Sequence, residues 1–291
     1  MATSGFSYGP RSRSLPSRST SLSSGSPVRR EWIAQQVLAR GSIEIDDVVA
    51  KFGVTRMTVH RDLDELEGQG LIRKVRNGAT AQPSNLFESD VRYRILQQRE
   101  AKALLARTAV NFIEPGSSIL LDEATTLLPL IDLLPSVGPL TVISNFLPLL
   151  QAARRHENLR VICLGGELLG RFDSFTGLIC ERSASALSAD LFFTSSTAIS
   201  GITVYHPDEQ VVRVKRVLMN SAKQRYLLAD HTKFGKTALH KFSLLTDFTA
   251  VIVDDQLDRT TLKQLRKAGV RVVLARRGHS VDSITIRKQS A

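Results

Sequence analysis

Several things are scarce in this sequence, and each scarcity removes a class of protein. Only two cysteines, Cys163 and Cys180, occur in 291 residues. Neither belongs to a C-x-x-C pair or has a histidine at ligand spacing, so a disulfide framework or zinc site is not expected. The thiols read as reduced and packed. Long apolar runs are also missing. The best candidate, Leu127–Leu134, is cut by Pro129 and Asp132, whereas a membrane helix needs ~20 apolar residues. With no hydrophobic signal core, a cytoplasmic protein with no membrane partner is expected. Tryptophan occurs once, as Trp32, and reads as a core residue. No metal- or cofactor-binding pattern is found.

Acids are scarce at the two ends. The net charge is +11, of which residues 1–28 supply +3 and residues 259–291 supply +8. Residues 29–82 sum to +1 and residues 83–258 to −1. The excess favours nonspecific attraction to nucleic acid without saying which part reads it. The 42% apolar content supports a sizeable core, and the length suggests two domains.

Residues 1–28 hold ten serines, three prolines and three arginines, a composition that reads as a disordered arm. From Arg29 the pattern is helical. Ile33, Val37 and Leu38 share one face; a second helix follows with Asp46 and Asp47 in its first turn and Val48, Val49 and Phe52 inward. Gly53 turns the chain and Thr55 caps a third helix whose stripe is Val59, Leu63 and Leu66. Leu71–Gly78 reads as a basic hairpin with Asn77-Gly78 as turn chemistry. Three short helices and a hairpin describe a winged helix-turn-helix over residues 29–82, with the helix-turn-helix at about Ile43 to Asp62.

Residues 83–91 form a polar linker, and an α/β pattern then runs over 92–280, leaving 281–291 as a tail. A helix is expected over Gln97–Asn111. Strand runs are expected at Ser118–Leu121, Leu140–Ile143, Leu159–Leu164, Asp190–Thr194, Tyr226–Ala229, Ala250–Val253 and Val270–Ala275. Helices at Leu147–Arg155, Val212–Ala222 and Thr260–Ala268 lie between them, arguing for an open parallel or mixed sheet covered by helices.

With Val59, Leu63 and Leu66 inward, Met57 and Arg61 face outward, flanked by Arg56 and His60. Arginine pairs bidentately with guanine in the major groove, and recognition helices present their N-terminal residues to the bases. Thr55 and Thr58 are expected on phosphates, as are Arg73, Lys74 and Arg76 of the hairpin. In the α/β region, polar turns follow the strands: Asp122 to Thr126, Ser144-Asn145, Gly165-Gly166, and Ser195 with Ser196. Ligands of open sheets bind outside the carboxyl ends of strands, so these turns are expected to converge on one anion-binding cleft. Lys233, just after a strand, offers a point charge for phosphate, and Lys215 lies on a neighbouring helix.

Residues 30–79 resemble the DNA-binding domain of the DeoR family of bacterial transcriptional regulators. The core of the match is Val54-Thr55-Arg56-Met57-Thr58-Val59-His60-Arg61-Asp62-Leu63, similar to V-S-x-x-T-I-R-R-D-L. The resemblance continues through Asp122-Glu123-Ala124-Thr125-Thr126 (D-x-G-T-T), Ile143-Ser144-Asn145, Leu164-Gly165-Gly166-Glu167, Lys215-Arg216 and Asp230 to Gly235. Ala124 stands where the family has glycine, and Val211 where it has a glutamate before the lysine. The resemblance implies a ribose-phosphate-isomerase type effector domain. It implies a small phosphorylated sugar held by Asp122, Ala124, Thr125, Thr126, Ser144, Asn145, Gly165, Gly166, Lys215 and Lys233.

The reading is therefore a repressor of a carbohydrate operon that binds double-stranded operator DNA as a homo-oligomer, dimer or tetramer. An enzyme reading, a sugar-phosphate isomerase or aldolase, would use Lys215, Lys233 and Asp122 for acid–base or Schiff-base work. An architectural or RNA-binding reading would rest on the basic ends.

Overall fold

Burial of Ile33 and Val37 explains the register of the first helix, α1 (Ser26–Arg40), whose inner face meets the buried stripe Val59, Leu63 and Leu66. The structure is a computed structural model and describes residues 26–81 and 90–277. Most of the serine-rich arm, most of the linker and the C-terminal tail lie outside the described residues. The arm's last three residues are helical, because α1 begins at Ser26.

After α1 come β1 (Ser42–Glu44), α2 (Ile45–Phe52), α3 (Arg56–Gly68), β2 (Arg73–Val75) and β3 (Gly78–Thr80). Gly53 ends α2 in the left-handed region, φ 64°, and donates its N–H to Val49 O; only glycine takes that turn without Cβ strain. Thr55 caps α3, its hydroxyl accepting from the Thr58 N–H at 3.2 Å. Asp62 of α3 is buried, ion-paired with Arg29 of α1 and bonded by the Ser26 hydroxyl at 2.9 Å. This clasp orients α3 on α1. Trp32 packs edge-on against Phe52 at 5.2 Å, consistent with a core role.

The hairpin differs in detail from expectation. Its strands are β2 and β3, its turn is Arg76-Asn77, and β1 joins to give the sheet β1-β3-β2. Gly78 is needed for space rather than for the turn. A Cβ there would lie 1.9 Å from the Ile43 carbonyl oxygen, where β1 pairs with β3.

The second region opens with α4 (Val91–Leu96) and α5 (Arg99–Ala109). The helix expected over Gln97–Asn111 is α5 with the short turn Val110–Phe112, begun two residues later; α4 was not expected, and Gln98 in a left-handed conformation, φ 51°, separates it from α5. Then follow β4 (Ser118–Leu121), α6 (Leu128–Ile131), β5 (Leu140–Ser144), α7 (Leu147–Ala153) and β6 (Leu159–Cys163). A small hairpin, β7 (Glu167–Leu169) and β8 (Ser174–Thr176), leads to α8 (Gly177–Ser185) and β9 (Ala189–Thr194). The chain continues through β10 (Ala198–Ser200), β11 (Thr203–His206), α9 (Glu209–Asn220), β12 (Ala222–Ala229), β13 (His240–Leu244), β14 (Ala250–Asp254), α10 (Arg259–Lys267) and β15 (Val272–Ala275).

Seven strands form one parallel sheet in the order β15-β14-β12-β9-β4-β5-β6. The strand runs expected from composition all lie in it. The chain runs outward from β4 to β6, then returns to β9 on the other side of β4 and runs outward again. The order therefore reverses between β4 and β9, which opens a crevice at their carboxyl ends. Separate apolar clusters fill the two faces, one around Leu121, Phe193 and Leu228, the other around Leu120, Phe192 and Leu227. Cys180 is buried in the second, which pushes its thiol up to about 12. Cys163 is exposed, unlike the packed thiol expected, because β6 is an edge strand.

Candidate functional site

The outer face of α3 carries Arg56, Met57 and Arg61 exposed, with Thr58 and His60 half-buried beside them. Arg56 pairs with Asp46 of α2 and Lys74 with Asp64 of α3. Such exposed pairs are worth little and exchange readily for phosphate. Arg61 has no ion pair among the described residues, and Arg76 stands exposed at the wing's turn. Arg73 is half-buried at the start of β2.

The second site lies at the reversal between β4 and β9. A small open cleft is lined by Arg94, Glu123, Ala124, Thr125, Thr126, Ser195, Ser196, Thr197, His206, Lys215 and Lys233. Each side chain arrives at a strand end or an adjoining helix: the turn after β4 brings residues 123–126, that after β9 residues 195–197, and that after β12 Lys233. Lys215 reaches in from α9 and is itself buried. Its ammonium donates to Asp122 Oδ2 at 2.6 Å and lies 2.8 Å from Glu123 Oε1; it also donates to Ser195 O at 3.1 Å.

Three buried charges packed together shift one another. Burial, reinforced by the Glu123 charge, outweighs Lys215 and pushes the Asp122 carboxyl up to about 6. Burial alone would raise Glu123 as well, but Lys215 and then His206 hold it below its ordinary value. Burial would lower Lys215; the two carboxylates prevail and raise it. Thr194 also donates its hydroxyl to Asp122, and Lys102 of α5 donates to Thr125 Oγ1 at 3.0 Å, bracing the β4 turn from behind.

The cleft gathers Ala124, Thr125, Thr126, Lys215 and Lys233, with Asp122 beneath. Ser144, Asn145, Gly165 and Gly166 do not line it. Ser144 donates to Leu121 O and accepts from the Phe146 N–H; Asn145 donates to Phe175 O. A Cβ on Gly166 would lie 2.4 Å from Thr176 O. These four stand at the ends of β5 and β6, one and two strands beyond the reversal; Ser144 ties β5 to β4, and Asn145 and Gly166 lie against β8 and the start of α8. Glu123, Ser195 and Ser196 were not among the expected ligand contacts, though they lie in turns expected at the cleft. Arg94, Thr197 and His206 were not expected there; Thr197 adjoins a marked turn, whereas Arg94 and His206 carry no local signal.

A helix of one and a half turns joins this cleft to the DNA-facing region. In α4, Tyr93 is buried in the core around Ile33, Leu63 and Ile72, while its neighbour Arg94 lines the cleft. Arg94 and His206 both lie against the Phe172 ring, at 5.5 and 5.6 Å. Arg171 stacks on the same ring at 4.7 Å and bonds the α9 cap Asp208 at 3.1 Å. Its aliphatic stem runs past Gly70 beyond the end of α3.

Two family models match the chain. Residues 29–85 match a DeoR-like helix-turn-helix domain, and residues 97–255 match the DeoR C terminal sensor domain. The chain belongs to the DeoR family. It is a transcriptional regulator with a DNA-binding helix-turn-helix and a sensor domain, and the family is one of regulators rather than enzymes. Among curated relatives, the lactose phosphotransferase system repressor of Streptococcus mutans serotype c is 32% identical over 244 residues, covering 82% of this chain and 96% of that protein. The HTH-type transcriptional regulator IolR of Bacillus subtilis is 28% identical over 238 residues, covering 79% and 92%. Among solved structures, a D-ribose-5-phosphate isomerase in complex with phospho-erythronic acid overlaps 47% of this chain and 54% of that one. Its TM-score is 0.36 at 14% identity, a partial likeness that says nothing of ligand. Among the described residues, no helix is long and apolar enough to cross a membrane.

Proposed function

We propose that this DeoR-family regulator represses a carbohydrate operon and that a small phosphorylated sugar, bound in the β4/β9 cleft, alters its hold on operator DNA. The observation that carries this reading is α4, one element with Tyr93 in the core of the DNA-facing region and Arg94 in the wall of the sensor cleft. Lys233 supplies the charge for phosphate and the hydroxyls of Thr125 and Thr126 supply donors. The lactose phosphotransferase system named for one relative agrees with this chemistry.

Ligand shifts the regulator only by binding its low-DNA-affinity arrangement better than the other. Helix-turn-helix proteins bind repeated half-sites as symmetric assemblies, so the working form is a homo-oligomer, a dimer or tetramer.

In this reading Arg61 reads a base, while Thr55, Thr58, Arg73, Lys74 and Arg76 hold phosphates beside Arg56, Met57 and His60. A genome-wide footprint supplies the operator, and fluorescence anisotropy then measures its affinity. Arg61→Ala is expected to cost about 1–3 kcal/mol on operator and little on unrelated DNA. Equal loss on every sequence would contradict base reading. Addition of monosaccharide phosphates is expected to change operator affinity; no response to any of them would remove the effector.

A further inference from the structure

Glu123 has an unspent bond. The residue is 2% exposed, and its Oε1 is committed to Lys215. Its Oε2 is buried without a hydrogen-bond partner, and so are the hydroxyls of Ser195 and Ser196, all on the same cleft. A buried polar atom left unpaired carries its full desolvation cost until a donor or acceptor arrives.

A phosphate does not suit that oxygen. Lys215 is already matched by two carboxylates, so phosphate beside Glu123 would set like charges together where the carboxylate is buried. Nor does α9 bring a carboxylate to Lys215, for Val211, four residues before it on the same helix, is buried and apolar. Both anionic partners of Lys215 thus come from the turn after β4. What Oε2 lacks is an uncharged donor, and a sugar hydroxyl is one.

We propose that Glu123 is the residue that recognises the sugar part of the effector, its Oε2 accepting a hydrogen bond from a ligand hydroxyl while Ser195 and Ser196 bond neighbouring hydroxyls. The phosphate is held apart from it, at Lys233. This rests on the sugar-phosphate reading above and gives Glu123 a specificity role. Sites built to bond a substrate hydroxyl discriminate strongly against ligands that lack it.

Calorimetry on the full chain, with inorganic phosphate and a panel of monosaccharide phosphates as titrants, tests it. Glu123→Gln is expected to weaken the best sugar phosphate about tenfold, the size of one such bond, and to leave inorganic phosphate within about twofold. Should the single variant fold poorly, Glu123→Gln/Val211→Glu returns a second carboxylate to Lys215 from α9; its stability is expected to recover while sugar affinity stays low. Unchanged sugar-phosphate affinity in either variant overturns the assignment, as does an equal loss for inorganic phosphate. Failure of the wild-type chain to bind any sugar phosphate overturns the effector reading itself, a result separable from the others because it needs no variant.

Discussion

Lys215 holds two buried carboxylates within 2.8 Å, and that geometry makes its removal costly in a pH-dependent way. The Asp122 carboxyl, raised to about 6 from an ordinary 3.8, contributes stability that is complete below about pH 4 and lost as pH rises through 6. Without the ammonium, Asp122 would titrate higher still and Glu123 would lose the partner that holds it below its ordinary value, so stability at neutral pH would fall. Lys215→Met is therefore expected to destabilise by about 3–5 kcal/mol at pH 8, the usual effect of breaking a buried pair, and by clearly less at pH 5. Urea unfolding at the two pH values measures it, and an equal loss at both would show that the carboxylates do not depend on Lys215.

At the scale of elements, the wing is held by a contact with no slack. The Gly78 backbone passes so close to Ile43 O that a methyl group would overlap it, forcing β3 away from β1. Gly78→Ala is expected to cost the DNA-facing region about 1–3 kcal/mol, as overpacking does, and to weaken operator binding while sensor-ligand affinity stays as it was. Anisotropy and calorimetry on the same sample separate the two. The recognition helix is fastened differently: its N-terminus by the Thr55 cap and its flank by the buried Asp62–Arg29 pair. Asp62, within the most distinctive run of the sequence, thus serves orientation rather than contact with DNA.

Across the whole molecule, Phe172 gathers groups from both sites. Arg94 and His206 approach it from the cleft, while Arg171 stacks on it, bonds Asp208 and passes Gly70. A change in the cleft that moves either Arg94 or His206 must displace this stack, because packed cores have discrete arrangements rather than soft ones. Arg171→Ala is expected to keep operator affinity within about twofold without effector but to reduce the effector-induced change, typically worth 1–3 kcal/mol, by more than half. A full response in the variant would place the coupling elsewhere.

Local periodicity and capping depend on a few neighbouring residues, so they can be read directly. Val59, Leu63 and Leu66 mark α3, Thr55 marks its start, and the apolar runs mark all seven strands of the parallel sheet. The family of the chain is legible in the same way, from the run Val54–Leu63 and the turns after the strands. The order of the strands is not local. It puts the reversal between β4 and β9, which brings Glu123, Ser195, Ser196 and Lys215 into one cleft and leaves Ser144, Asn145, Gly165 and Gly166 at strand ends beyond it. Arg94 and His206, on α4 and β11, lack any nearby pattern, and only packing carries them to the site. The residues' own pattern was enough for the three helices of the DNA-facing region, the seven strands of the parallel sheet and the kind of protein; which strand ends meet, and the short elements β7, β8, β10, β11 and β13, came from the fold, because these depend on contacts between segments far apart in the chain.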